Sequence, residues 1–498
     1  MKKFFTLFVL LASTVFGLQA QRYLSPVFSD VTVTTDVTYG VNATVLLLAQ
    51  AMQAVPQQLT CDIYEPTGDT ETERPLVVLL HSGNFLPPSN NGGCAGTSKD
   101  AYMVDIATRL AKMGYVAAIA NYRLGWNPID PSQTTRVYTL INAAYRGVQD
   151  ASTCIRFFRA NHATTNDFKI DPDKIVLWGA GTGGYVSYAA ATLDTITDTW
   201  IPKFTTPNGP MIIEQVNGNL EGTSVGIVFP GYPGFPAGDT LCYPNHVGFS
   251  SAFALGVNMG GSLGDTSWID ANDPPFISYH VPTDPFAPCE TGIVNVPPPV
   301  SLPVVEVSGS CIAQQIFSRL GINDCIVAGG PYNDAISARA RSLNGGIESF
   351  YPFVDADPTE GGRWDYSGSI SPYGVAGVPP CDTNSVVGGR YLDTIFQYYA
   401  PRAFACLGLI SSLDELTETE VGLQMSPNPS ADFINIQTKA DFPVEDVAIY
   451  DMNGKYLSGA FGLRQNSFQI NRNGLNSGIY VVKFRFREGV VTRKIVFN

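Results

Sequence analysis

The chain has 498 residues, too many for one compact domain, and a formal net charge of −14. Hydrophobic residues make up 45% and charged residues 15%, a globular composition whose acidic balance argues against nucleic acid as a partner. Beyond the N-terminus no apolar run is long enough to cross a bilayer.

In chain order, Lys2-Lys3, an apolar run from Phe4 to Leu18 and Gln19-Ala20 make the three-part pattern of a secretory signal peptide, cut after Ala20. An exported chain can form disulfides. The cysteine count of nine leaves at least one thiol free. Cys154 falls in phase with Val148, Ala151 and Phe158 on an expected helix, which predicts a buried free thiol. Spacing leaves the pairing of the others open.

Val31 to Val41 alternates as a strand pair, and Leu59 to Tyr64 reads as a strand. The continuous apolar run Pro75 to His81 predicts a parallel strand buried on both faces. Ala101 to Met113 has helical periodicity, Tyr115 to Ala120 reads as a strand, and Leu140 to Asn161 as a long helix. Ile175 to Trp178 is another strand, Gly179 to Gly184 a tight turn, and Tyr185 to Thr192 a helix. Further strands are expected at Val225 to Pro230, Phe276 to His280 and Gly346 to Val354, with a helix at Ile312 to Leu320. Strands alternating with helices predict an α/β fold, a doubly wound and mostly parallel sheet.

Strand, sharp turn and helix around residue 180 resemble the nucleophile elbow G-x-S-x-G of the α/β-hydrolase fold. Pro75 to Asn84, Asn121-Tyr-Arg-Leu-Gly125, Gln149-Asp150, Arg156-Phe-Phe and Asp171-Pro-Asp-Lys-Ile175 are similar, in order, to the segments of carboxylesterases that precede that elbow. Laid on the pattern without a gap, Gly179 and Gly183 are the flanking glycines and Gly181 is the apex, where the family has its serine. The alternative is a turn slipped by one residue, which would make Thr182 the nucleophile. A β-branched residue fits a strained turn poorly, and Thr182 could equally cap the helix.

The resemblance implies an acid at Asp284, in Pro274 to Asp284, and a histidine later in the chain. The four histidines are His81, His162, His246 and His280, all before Asp284. The segment where the family places its base offers Asp355 and Asp357 instead. His81 and His280 fall where the family has structural histidines. His246 lies in a cysteine-flanked segment, Cys242 to Cys289, that could form a lid. Ser82, Gly83 and Asn84, with the Thr182 amide, are expected to keep the oxyanion and pocket region.

Two weaker patterns compete. Gly179-x-Gly181-x-x-Gly184 also satisfies the dinucleotide fingerprint, but no acidic strand end follows at the required distance. Asp355, Asp357, Glu360 and Asp365 make an acidic cluster without EF-hand spacing, best read as a solvated loop. No metal and no cofactor is expected.

From about Ser411 the composition turns polar and acidic, then short alternating segments follow. Ser426-Pro-Asn-Pro429, Ile449-Tyr-Asp-Met-Asn-Gly454, Leu475-Asn-Ser-Gly-Ile-Tyr-Val-Val482 and Lys494-Ile-Val496 resemble the C-terminal sorting domain of type IX secretion substrates. The resemblance implies a small all-β sandwich, engagement of the type IX machinery, and a secreted or cell-surface location. The expected division is a signal peptide at 1–20, an α/β-hydrolase-fold domain at 21–410, a linker at 411–424 and the sorting domain at 425–498. The functional expectation is a carboxylesterase-like protein that has lost catalysis and binds a small ligand, glycan or protein at the old pocket. The alternative is an active esterase or amidase using Thr182, or a water activated by Asp284 or Asp357.

Overall fold

The computed structural model describes residues 22–91, 96–296, 300–354, 364, 366, 385–409, 414–452, 455–486 and 489–498. Eight strands form the central sheet: β1 (Val31–Thr44), β2 (Val55–Pro66), β3 (Arg74–Leu80), β4 (Val116–Ala120), β5 (Ile170–Ala180), β6 (Leu255–Met259), β7 (Phe276–His280) and β8 (Phe350–Pro352). Their spatial order is β1-β2-β4-β3-β5-β6-β7-β8. β1 and β2 are antiparallel to their neighbours, and the remaining pairings are parallel.

The apolar runs explain the centre of the sheet. Every residue of β3, β4, β6 and β7 is buried, because helices cover both faces. Helix α1 (Ala101–Lys112) buries Met103, Ile106, Ala107 and Leu110 in the core on one face. Helices α2 (Gln133–Thr164) and α3 (Thr182–Thr192) pack into the core on the other. Ser132 caps α2 by accepting from the Thr135 amide. The segment after β4 is tied to α2 by a fully buried ion pair, Arg123 Nε to Asp150 Oδ1 at 2.9 Å. That guanidinium also donates to the carbonyls of Ala43 and Leu241 and to Gln149 Oε1, so the buried charges are hydrogen-bonded as well as paired.

Several expectations shift in detail. Val31 to Thr44 is one continuous strand rather than a pair. The expected strand at Val225 to Pro230 shrinks to Gly226–Ile227 and lies outside the central sheet. Strand β6 went unpredicted because Gly256 and Asn258 interrupt its apolar run. The glycine is required there, since a Cβ at Gly256 would lie 2.0 Å from the Phe276 ring. The presence of β6 and β7 between Cys242 and Cys289 also corrects the lid expectation, because that segment supplies two core strands.

Cys154 is a buried free thiol, as are Cys61 and Cys242. Disulfides join Cys289 to Cys311 and Cys325 to Cys406. The first staples the loop after β7 to the start of α4 (Ser310–Arg319), and the second ties α5 (Asp324–Ala328) to the end of α7 (Ser385–Cys406), with α6 (Ala335–Asn344) between them in sequence.

The C-terminal region is all-β. One sheet has the order β9-β16-β15-β12-β13, and the other β10-β11-β14. The strands are β9 (Asp414–Glu415), β10 (Gln424–Ser426), β11 (Phe433–Gln437), β12 (Asp446–Tyr450), β13 (Tyr456–Ala460), β14 (Ser467–Asn471), β15 (Gly478–Arg485) and β16 (Gly489–Phe497). Ile434, Ile436, Val447, Ile449, Val482, Phe484 and Ile495 fill the space between the sheets. This small sandwich touches the larger unit where Phe461 meets Phe404 edge-on, ring centroids 5.6 Å apart.

Candidate functional site

Strand β5 ends in the turn that the sequence singled out. Gly181 has φ 53° and ψ −117° and stands immediately before the first residue of α3. That backbone is strained for any residue with a Cβ and open to glycine. Its neighbours are glycines for a different reason, close approach. A Cβ on Gly179 would lie 1.9 Å from the Gly183 carbonyl oxygen, and one on Gly183 would lie 2.2 Å from the Leu80 carbonyl oxygen. The start of α3 is therefore pressed against the ends of β5 and β3. The turn is held from the other side by the Gly181 amide, which donates to the Met259 carbonyl of β6 at 2.8 Å.

Thr182 is the first residue of α3, so the positive φ falls one residue before it. Its Oγ1 lies 3.0 Å from the Tyr122 hydroxyl, which also donates to the His81 carbonyl at 2.8 Å. No imidazole bonds to Thr182, although all four histidines are among the described residues.

Three of the four histidines are engaged elsewhere. His81 stacks on Tyr122 with ring centroids 4.7 Å apart, and its Nδ1 lies 2.6 Å from its neighbour's carbonyl, that of Ser82. His280 lies between Ser310 Oγ at 3.1 Å and the Ala287 carbonyl at 2.9 Å. Burial lowers both imidazoles to about 4, so both are neutral at physiological pH. His246 Nε2 contacts the Tyr39 carbonyl at 2.7 Å and its ring packs on Phe157 of α2. His162 ends α2, with a buried Nδ1 that has no partner.

Asp284 follows β7. Its Oδ1 accepts from the amides of Phe286 and Ala287 at 2.7 and 3.0 Å, an Asx-type turn. Burial nevertheless pushes its carboxyl up to about 7. The buried Tyr185 hydroxyl lies within electrostatic reach of it. Asp357, with Asp355, Glu360 and Asp365, lies outside the described residues.

The strand β3 delivers Ser82, Gly83 and Asn84 toward the apex. The Ser82 amide donates to the Tyr102 hydroxyl at 3.3 Å, and Asn84 Nδ2 donates to the Asn91 carbonyl at 2.9 Å. Gly83 and Asn84 both have positive φ, 123° and 57°. Sequence reasoning passed over Tyr102 and Tyr122. Tyr122 lay within Asn121-Tyr-Arg-Leu-Gly, a stretch singled out for its resemblance rather than for its hydroxyl. It also passed over a buried polar network behind α3, in which Asn258 and Tyr188 both bond Ser310. Those partners come from distant segments and carry no local signal. Among the described residues, Asp194, Asp270 and Asp273 are the acidic groups close enough together to share a cation; no such cluster lies at the elbow.

Residues 61–216 match the BD-FAE family profile, and residues 424–498 match the Secretion system C-terminal sorting domain. No curated protein matches the chain. Among solved structures it is similar to Thermogutta terrifontis esterase 2 phosphorylated by paraoxon, at 18% identity over 52% of this chain and 74% of that one, with a TM-score of 0.28. It is also similar to MGS-M1, an alpha/beta hydrolase enzyme from a Medee basin deep-sea metagenome library, at 12% identity over 77% of this chain and 100% of that one, with a TM-score of 0.34. No helix among the described residues is long and apolar enough to cross a membrane. The chain is thus an esterase-like α/β-hydrolase-fold protein carrying a type IX secretion sorting domain, which directs it to the cell surface or the extracellular space.

Proposed function

We propose that this protein is a catalytically degenerate hydrolase that binds a ligand or partner at the former active site. Acyl transfer needs a nucleophile, a base in contact with it, a group orienting the base, and oxyanion donors. The observation that carries the reading is the environment of the apex. Gly181 offers no side chain, and the adjacent Thr182 hydroxyl is bonded to a tyrosine, not to an imidazole. A phenol whose pKa burial raises above its ordinary value is a poor base at neutral pH. The backbone donors survive, since the Thr182 amide opens helix α3 and Gly83 lies at the end of β3. Such amides attract a carbonyl or carboxylate oxygen whether or not chemistry follows. A small molecule with such an oxygen, a glycan ester or a protein segment are the candidate occupants. In this reading residues 1–20 serve as the export signal, 21–410 form the binding domain, and 411–424 link it to the sorting domain.

A second reading is an esterase or amidase that uses Thr182, or a water activated by Asp284 or Asp357. It is favoured by the Asp284 carboxyl, whose raised pKa of about 7 suits a general base near neutrality. Turnover of a short-chain aryl ester by the pure protein separates the two. The proposal expects a rate no greater than the uncatalysed one. Turnover abolished by Thr182→Ala or Asp284→Asn would establish the second reading.

A further inference from the structure

We propose that the Ser82 side chain occupies the place of the elbow's missing nucleophile, and that its hydroxyl is the group that contacts a ligand's carbonyl or carboxylate oxygen. This rests on the reading of the pocket as a binding site without hydrolysis.

The geometry is specific. A Cβ built on Gly181 would lie 2.1 Å from Ser82 Oγ and 2.9 Å from Ser82 Cβ. Both are shorter than a nonbonded contact can be, so a side chain on Gly181 would require the Ser82 hydroxyl to turn aside and its Cβ to give. The two positions also depart from their patterns in opposite senses. The elbow G-x-S-x-G has glycine where serine is expected, and the loop His81-Ser82-Gly83-Asn84 has serine at the second place of the H-G-G-G type. One hydroxyl has left the turn after β5, and another has entered the same space from the end of β3.

Ser82 is not free to withdraw. Its amide donates to the Tyr102 hydroxyl at 3.3 Å, and its carbonyl lies 2.6 Å from His81 Nδ1. Its neighbour His81 is itself buried and stacked on Tyr122. By contrast, among the described residues no hydrogen bond engages Ser82 Oγ, and Ser82 is only half-buried. A hydroxyl carried on a fixed backbone with its hydrogen-bonding capacity unspent is suited to an incoming oxygen. The Thr182 amide at the start of α3 adds a second donor beside the apex. Ser82 does not act as a nucleophile in this account, because no imidazole bonds to its hydroxyl to take the proton.

Two measurements on the full chain test the proposal. The first is a thermal cycle. Gly181→Ser should lower Tm by about 5 °C, Ser82→Gly should change it little, and the double variant should recover part of the loss, the positive φ at 181 costing the rest. A Gly181→Ser variant as stable as the wild type, or one that Ser82→Gly does not relieve, would overturn the steric exclusion. The second is calorimetric titration with propionate as the probe. Ser82→Ala keeps the Cβ and removes the hydroxyl, so affinity should fall about tenfold. Equal binding by wild type and Ser82→Ala would overturn the role of Ser82 while leaving the binding pocket intact. No binding by the wild type would overturn the pocket reading and this proposal with it, whatever the thermal cycle gives.

Discussion

The turn after β5 and the loop after β3 meet at Gly181 and Ser82 and depart from their patterns in opposite ways. The turn has kept its backbone and has no side chain at its apex. The loop carries a side chain where its pattern has glycine. The difference teaches what each feature depends on. The bend is held by packing, since Gly179 and Gly183 let α3 approach β3 and β5 closely and the Gly181 amide bonds Met259. None of those contacts involves a side chain at the apex, so the shape of the bend does not depend on one. The hydroxyls answer to local space, and the space vacated at Gly181 is filled from Ser82.

The largest effect should come from breaking the packing side of the comparison. Gly179→Ala would drive a methyl group to 1.9 Å from the Gly183 carbonyl oxygen. Because backbone must move to relieve it, the expected loss is about 3 kcal/mol, read as a lower midpoint in urea at unchanged slope. A near-neutral result would mean that α3 is not pressed on β5 as described. Next comes the apex itself. Gly181→Ala meets both a positive φ and the Ser82 hydroxyl, so it should cost about 2 kcal/mol, and less in a Ser82→Gly background. Were the cost the same in both, backbone strain alone would explain it.

A smaller effect is expected where the two sides are joined by a hydroxyl. Tyr122 bridges the His81 carbonyl and Thr182 Oγ1. Tyr122→Phe should cost about 1 kcal/mol in chemical denaturation, the usual worth of such a bond plus a buried acceptor left bare. No change would place that hydroxyl in contact with water instead. The smallest effect is electrostatic. The folded-state carboxyl of Asp284 titrates near 7 because burial disfavours its charge, above the ordinary carboxylate range of about 4. A raised acid stabilises the folded protein most below its ordinary range, and that contribution is lost as pH rises through about 7. Wild type should therefore lose stability relative to Asp284→Asn between pH 5 and pH 8, as followed by Tm. A difference that stays flat across that window would show the carboxyl to be well solvated.

Most of the central strands and the bend at Gly181 were legible because both leave local signals, continuous apolar runs and a cluster of glycines. The sorting domain was legible for the same reason, through its alternating strands and the Ser426-Pro-Asn-Pro429 stretch. Strand β6 was not, because Gly256 and Asn258 break its pattern to admit the Phe276 ring and the buried network around Ser310. That no histidine follows Asp284 was legible from the sequence alone. Ser82 was named for its backbone, while the role of its side chain was hidden. It depends on a contact between residues 82 and 181, which spacing along a chain cannot reveal. His246 was read only as part of a segment that could form a lid, and its contacts with Tyr39 and Phe157 join segments far apart in the chain.

The most direct measurement is intact-mass analysis with peptide mapping after incubation with a fluorophosphonate, which labels only hydroxyls activated by a base. The account predicts an unmodified protein, with Ser82 and Thr182 recovered unlabelled. A single phosphonyl adduct on either hydroxyl would contradict it, because it would require a base where, among the described residues, no imidazole bonds either hydroxyl.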